Sequence, residues 1–263
     1  MAKVITVVNQ KGGVGKTTTS VNLAAYLAQK GKFVLLIDLD PQSNATSGMG
    51  IDYNTLDKSI YEVIIGKCKM VDVLQNTSIQ GYKVCPATLH LAGANIELVN
   101  EENREFKLLE AVHEVRGNYD YIIIDCPPSL GLLTLNGLIA ADEILIPVQA
   151  EYYALEGIVH LMNTIKLIQE SLKPDLKVLG AVITMYDKRT ALSEEVLNQL
   201  YQYFPNRIFR TVIPRNVKLS ESPSYGKSIL EYDPSSKGAQ AYERLAQEII
   251  DLEVSNLSNN LIN

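Results

Sequence analysis

The sequence predicts an α/β fold, a mostly parallel twisted sheet with helices on both faces. Short runs of β-branched and apolar residues recur along the chain, and longer amphipathic segments separate most of them. The strand-like runs are apolar at successive positions rather than at alternate ones, which is the pattern of strands buried on both faces.

Residues 3–8 (KVITVV) read as the first buried strand. A glycine-rich turn follows, and residues 17–29 then read as a helix that Gly31 stops. Residues 33–38 (FVLLID) form the second strand, 82–86 a third, and Tyr121–Asp125 (YIIID) another. The runs 143–148 (EILIPV), 178–185 (VLGAVITM) and 208–213 (IFRTVI) complete the set. Helical patterns lie between, for example at Ala154–Ser171, 192–203 and 239–252. Ligands of such sheets sit beyond the C-terminal ends of the strands.

The chain has 263 residues, 46% hydrophobic and 21% charged, close to ordinary globular values. That length suits one α/β domain with a wide sheet. Residues 1–254 read as that domain, and the polar, Asn-rich tail at 255–263 is expected to be flexible. No Ser/Pro/Gly-rich linker and no fixed-period repeat divides the chain. The net charge is −6 and the pI about 5.2. A dedicated nucleic-acid binder is often basic, so any such contact has to come from a local patch or from an assembled dimer.

Cys68, Cys85 and Cys126 are odd in number and form no C-x-x-C pair. This argues against a disulfide framework or a zinc site and fits a reducing compartment. The apolar N-terminal run meets a glycine-rich turn rather than a small-residue cleavage site, so it reads as a strand and not as a signal peptide. No run of about 18 apolar residues suggests a membrane span, and a cytoplasmic location with no membrane partner is expected.

The strongest motif is NQKGGVGKTT, residues 9–18, between the first strand and the first helix. A phosphate loop needs that context. Gly12, Gly13 and Gly15 let the backbone approach phosphate oxygens, and the successive N–H groups, Val14 among them, form a cationic nest at the helix N-terminus. Lys16 is expected on the β- and γ-phosphates, the Thr17 hydroxyl on Mg²⁺, and Thr18 at the α-phosphate. In the usual spacing, G-x-x-x-x-G-K-[ST], a glycine stands where this chain has Gln10, and Lys11 follows. That second lysine can serve its own nucleotide, a nucleotide in another subunit, or solvent.

Asp38 and Asp40 end the second strand on the side where this loop opens. Alternation puts both on one face if the strand continues that far. One can then serve the metal and the other the attacking water, unless both merely cap the loop before Pro41. Asp125 ends the apolar run 122–124. A carboxylate there is costly to bury unless it is paired or near a metal, which favours Mg²⁺. Pro127, Pro128 and Gly131 read as a stiff loop with a hinge, a γ-phosphate switch or a plain strand-to-helix turn. Cys126 reads as a half-buried thiol. Lys188, Arg189, Arg207, Arg210, Arg215 and Lys218 gather late in the chain. Such side chains suit phosphate contacts that carry no base information.

KGGVGKT resembles the signature loop of the ParA/MinD group of ATPases, a variant of the Walker A motif. Further stretches extend the likeness from residue 2 to about 250: LIDLDPQSNATSG (36–48), YDYIIIDCPPSLG (119–131), PVQAEYYALEG (147–157), TMYDKRT (184–190) and IPRNVKLSESPSYGK (213–227). Within the group the chain is similar to the chromosome-partition ATPases called ParA or Soj. The resemblance implies a P-loop NTPase of the SIMIBI type and a homodimer that sandwiches two ATPs. It implies that Lys11 crosses to the partner's phosphates, that Gly12 lies where subunits meet, that Asp40 positions water, and that Asp125 is the Walker B acid. It further implies slow Mg²⁺-dependent hydrolysis, non-specific DNA binding by the ATP dimer, and stimulation by a ParB/Spo0J-type partner, on the nucleoid. Arg189 and Lys218 match DNA-contact positions, although close relatives carry arginine at position 218. Pro214 and Arg215 fall in the adenine-side loop.

Three relatives of the group fit less well. A MinD-like membrane ATPase needs a basic amphipathic tail, and no Lys or Arg follows Asp251. An iron–sulfur reductase needs cysteines that bridge subunits, and Cys85 and Cys126 are poorly placed for that. A bacterial tyrosine kinase predicts a C-terminal tyrosine cluster, and none lies beyond Tyr242. A nucleotide-gated DNA scaffold without meaningful turnover is a fourth alternative.

Overall fold

A computed structural model describes residues 1–151, 154–187, 200–201, 204 and 207–260. The strands are β1 (Lys3–Val7), β2 (Val34–Asp38), β3 (Gln75–Asn76), β4 (Tyr82–Cys85), β5 (Tyr121–Asp125), β6 (Glu143–Gln149), β7 (Lys177–Tyr186) and β8 (Ile208–Pro214). They form one sheet in the order β3-β4-β2-β5-β1-β6-β7-β8. Every pairing is parallel except that of β3 with β4. The longer helices are α1 (Lys16–Gln29), α2 (Lys107–Val115), α3 (Leu132–Ala140), α4 (Ala154–Ser171) and α5 (Lys237–Asn260).

Strand alternation divides the core between the two faces of the sheet. Leu35, Ile37, Ile122 and Ile124 belong to one apolar cluster, together with Leu108 and Val112 of α2 and Leu138 of α3. Val34, Leu36, Tyr121 and Ile123 belong to the other, together with Leu23 and Leu27 of α1 and Leu245 and Ile249 of α5. Successive residues of each strand therefore bury on opposite sides, which is why the strands read as unbroken apolar runs. The predicted fold class is the observed one.

The parallel register aligns the strand ends that matter. Val7 of β1 and Asp38 of β2 both pair with Asp125 of β5. The segments leaving β1, β2 and β5 consequently emerge side by side at the C-terminal edge, where an open parallel sheet binds its ligand.

Two features differ from expectation. β3 is a two-residue antiparallel edge strand, too short to leave a periodic signal. The final helix, expected over 239–252, runs Lys237–Asn260 and so carries helical structure into the tail expected to be flexible from 255. Polar composition suggested fraying there, but the Ser255 hydroxyl donates to the Asp251 carbonyl one turn back and stays within the helix. The helix expected at 192–203 lies largely outside the described residues. No helix among the described residues is long and apolar enough to cross a membrane.

Candidate nucleotide site

Between β1 and α1 the chain turns through Gly13 (φ 75°) and Gly15 (φ 89°). Both are left-handed, a conformation that a side chain resists. The turn is tied down at each end. Asn9 donates from Nδ2 to the Pro147 carbonyl at 2.7 Å and accepts the Lys11 N–H at 3.0 Å. Thr184, at the end of β7, donates from its hydroxyl to the Val14 carbonyl at 2.7 Å. Gly12, Gly13, Gly15, Lys16, Thr17 and Thr18 all line a cavity of about 460 Å³. These residues of the predicted phosphate loop are therefore together and Val14 is buried, whereas Lys11 does not line the cavity.

Lys16 is only 7% exposed and reaches back to the Lys11 carbonyl at 3.2 Å. Burial lowers its pKa, while the carboxylates of Asp125 and Asp40 oppose that shift. The ammonium is thus held between a desolvation penalty and two nearby negative charges.

The carboxylates differ in what they do. Asp40 follows β2, lines the cavity and accepts the Gln42 N–H at 2.9 Å. Asp38 was expected on the same face, but β2 ends there and the chain turns, so Asp38 is fully buried and absent from the cavity wall. It accepts the Thr46 N–H at 2.9 Å and hydroxyl at 2.7 Å through Oδ2, and the Asp40 N–H at 3.2 Å through Oδ1. Asp38 thereby holds the loop that presents Asp40.

Asp125 is also fully buried, and one oxygen accepts the Ser20 hydroxyl at 2.8 Å. Its other oxygen has no hydrogen-bond partner among the described residues. Burial, and then the Asp38 charge, push its pKa up, and the hydroxyls of Thr17 and Ser20 oppose this. Burial likewise raises the Asp38 pKa. An uncompensated oxygen beside a threonine hydroxyl suits a hard cation. No cluster of three or more His, Cys, Asp or Glu able to hold a metal occurs among the described residues. Cys126 is buried rather than half-buried, and desolvation lifts its thiol pKa well up, so it is a poor nucleophile.

A second cavity of about 410 Å³ adjoins the first, and Gly15, Thr18, Met185 and Pro223 line both. Pro214 and Arg215 line the second, so the segment expected near the adenine stands beside the phosphate loop. Met185 has φ 52°, an unusual conformation for a side-chain-bearing residue on a cavity wall.

Two candidate lysines that do not line this cavity are paired. Lys11 reaches Glu151 at 3.0 Å, with the two side chains 35% and 44% exposed. Lys218 reaches Glu221 at 2.9 Å and lies 5.6 Å from the centre of the Tyr232 ring. Arg189 lies outside the described residues.

Sequence reasoning missed Asn9, Ser20, Asn22, Thr46 and Thr184. Ser20 and Asn22 carried a usable signal, since both are polar and buried in a helix otherwise rich in buried apolar residues. The pairing of Thr46 with Asp38 had none.

A family model described as an AAA domain matches residues 2–178. The chain is 53% identical over 249 residues to the sporulation initiation inhibitor protein Soj of Bacillus subtilis, covering 95% of this chain and 98% of that protein. It is 49% identical over 250 residues to the chromosome partitioning protein ParA of Myxococcus xanthus, covering 95% and 88%. The chain belongs to the ParA/Soj family. Among solved structures, it is similar to one described as cobyrinic acid a,c-diamide synthase from Mycobacterium smegmatis with bound ADP and magnesium. That likeness has a TM-score of 0.83 and 40% identity over 94% of this chain and 93% of that one. The ParA/Soj chain also resembles the septum site-determining protein MinD of Pyrococcus horikoshii with Mg-ADP, at a TM-score of 0.78 and 27% identity over 96% and 98%.

Proposed function

We propose that this ParA/Soj chain binds ATP with Mg²⁺ on its phosphate loop and closes as a homodimer around two nucleotides. The ATP dimer holds DNA without sequence preference, and hydrolysis, stimulated by a ParB/Spo0J-type partner, releases it. The cycle would segregate chromosomes or plasmids on the nucleoid, in the cytoplasm. Residues 1–254 would act as a single ATPase domain.

The observation that carries this reading is the presence together, beside a glycine nest, of a nearly buried Lys16 and of an Asp125 with one open oxygen. Backbone N–H groups and Lys16 would cradle the phosphates. Thr17 and Asp125 would hold Mg²⁺, which would supply charge neutralisation for the phosphates. Asp38 serves by fixing the Asp40 loop, and Asp40 orients the attacking water. Pro214 and Arg215 flank the base.

The dimer part rests on Lys11 and Gly12. A Cβ built on Gly12 meets nothing within 4 Å, and its φ is not left-handed. Nothing among the described residues requires glycine there, whereas a second chain approaching the rim would. Lys11 is held by Glu151 in a half-exposed ion pair, a contact that contributes about 0–1 kcal/mol. Exchanging it for a partner's phosphate is therefore inexpensive. Gly12→Val is expected to keep ATP affinity within about twofold and to abolish the ATP-dependent dimer in gel filtration. A dimer of undiminished yield would remove Gly12 from the interface.

DNA contact would fall to Arg189 and Lys218, the latter after leaving Glu221. Arg189→Ala should weaken DNA retention while ATP turnover without DNA stays unchanged. Equal retention at moderate salt would count against this surface. Phosphate release measured with and without DNA and the ParB/Spo0J-type protein tests the cycle as a whole.

A further inference from the structure

One cation on the phosphate cavity is left unused by this account. The cavity lining holds two lysines, Lys16 and Lys227, and one carboxylate, Asp40. Lys16 comes from the loop itself. Lys227 comes from a separate wall, the segment 222–228 that follows the short helix Val217–Glu221. Lys11 and Lys218 each have a carboxylate partner. The Lys227 ammonium is exposed and has no ion pair among the described residues.

The backbone around Lys227 is fixed from both directions. Gly226 is left-handed (φ 62°), and a Cβ there would lie 2.7 Å from the Gly50 Cα. Gly50 is left-handed too (φ 75°), and a Cβ on it would lie 3.0 Å from the Gly226 carbonyl oxygen. Two glycines thus interlock, joining this wall to the segment that follows Asp40 and Thr46. On the other side, the Ile229 N–H donates to Asn22 Oδ1 at 2.7 Å, and Asn22 lies on α1 and itself lines the cavity. The Lys227 N–H closes the turn onto the Ser222 carbonyl at 3.2 Å. A flexible cationic side chain on an anchored backbone at the mouth of an anion site loses little backbone freedom when it binds.

We propose that Lys227 is a nucleotide-binding residue, whose ammonium contacts the phosphate chain of a nucleoside di- or triphosphate from the wall opposite in sequence to the glycine loop. This rests on the ATP reading above and adds a cation to it. It also gives the segment carrying Lys218 a direct contact with the nucleotide.

The test compares full-length wild type, Lys227→Gln and Lys227→Arg in displacement of a fluorescent ATP analogue by ATP, ADP and AMP, at low and high salt. Lys227→Gln is expected to weaken ATP and ADP by roughly threefold to tenfold, the range of a partly exposed charge-assisted hydrogen bond. The loss should be smaller for AMP, should shrink with salt, and should be largely restored by Lys227→Arg. The nucleotide-free melting temperature should not move. Unchanged ATP and ADP affinity would overturn the proposal, including the case in which only DNA retention falls and Lys227 serves DNA alone. An equal loss for ATP, ADP and AMP with a lowered melting temperature would overturn it as well, because that marks a structural role. If the wild type itself displaced no analogue, the ATP reading would fall together with this one, whereas a failure confined to the variants removes only Lys227.

Discussion

Replacing Lys16 with alanine is expected to remove measurable ATP binding, a loss of about 100-fold or more in affinity. The size follows from where the ammonium sits. It is almost wholly buried at the floor of the cavity, where charge interactions are stronger than at the surface, and it is the one cation that the glycine loop itself directs inward. Truncating one member of a buried, hydrogen-bonded charge pair costs about 2–5 kcal/mol, and each 1.4 kcal/mol is roughly tenfold in affinity.

The fold should survive the change. Burial already penalises the Lys16 charge, so its removal relieves a desolvation cost while it deprives Asp125 and Asp40 of a favourable neighbour. These effects oppose one another. Titration calorimetry with Mg-ATP, alongside a melting curve without nucleotide, separates lost binding from lost fold. Calorimetric affinity equal to wild type would refute the assignment of the loop.

Much of the architecture was legible because burial on both faces writes strands as plain apolar runs. The run 33–38 became Val34–Asp38, 178–185 became Lys177–Tyr186, and Tyr121–Asp125 matched its strand without adjustment. β3 was invisible because an edge of two residues has no period to detect. α5 runs beyond the end of its apolar pattern near 252, where polar residues leave no period to detect, and the Ser255 hydroxyl bonds within the helix.

The site was legible where local chain chemistry dictates it. The glycines, Lys16 and Thr17 are neighbours in sequence, and the left-handed turn explains the spacing. Asp125 was legible because a carboxylate closing an apolar run demands a reason. What sequence could not express was the division of labour between Asp38 and Asp40. Their roles depend on where β2 stops, and on Thr46, eight residues beyond Asp38, folding back onto it. Ser20 meets Asp125 across 105 positions of chain, and only the register of β1 with β5, which α1 then follows, brings them together.

That division makes the second large effect specific. Asp40→Ala should leave ATP binding intact, lower phosphate release by about 100-fold or more, and accumulate an ATP dimer that stays on DNA. Asp40 touches the site through the cavity face and a single bond to the Gln42 N–H. The glycine nest and Asp125 keep all their partners without it. Asp38 still binds Thr46 and the backbone N–H at position 40, so the loop should hold its course. The variant then lacks the carboxylate proposed to orient water and little else. Because hydrolysis is the step proposed to end the DNA-bound state, slowing it lengthens that state in proportion. Gel filtration with Mg-ATP should therefore show dimers, and DNA retention should persist where the wild type dissociates. Asp38→Asn should behave differently, weakening the loop through lost acceptor strength at Thr46 and lowering turnover together with stability. Monomers of Asp40→Ala in the presence of ATP, or hydrolysis at the wild-type rate, would assign water positioning to another residue.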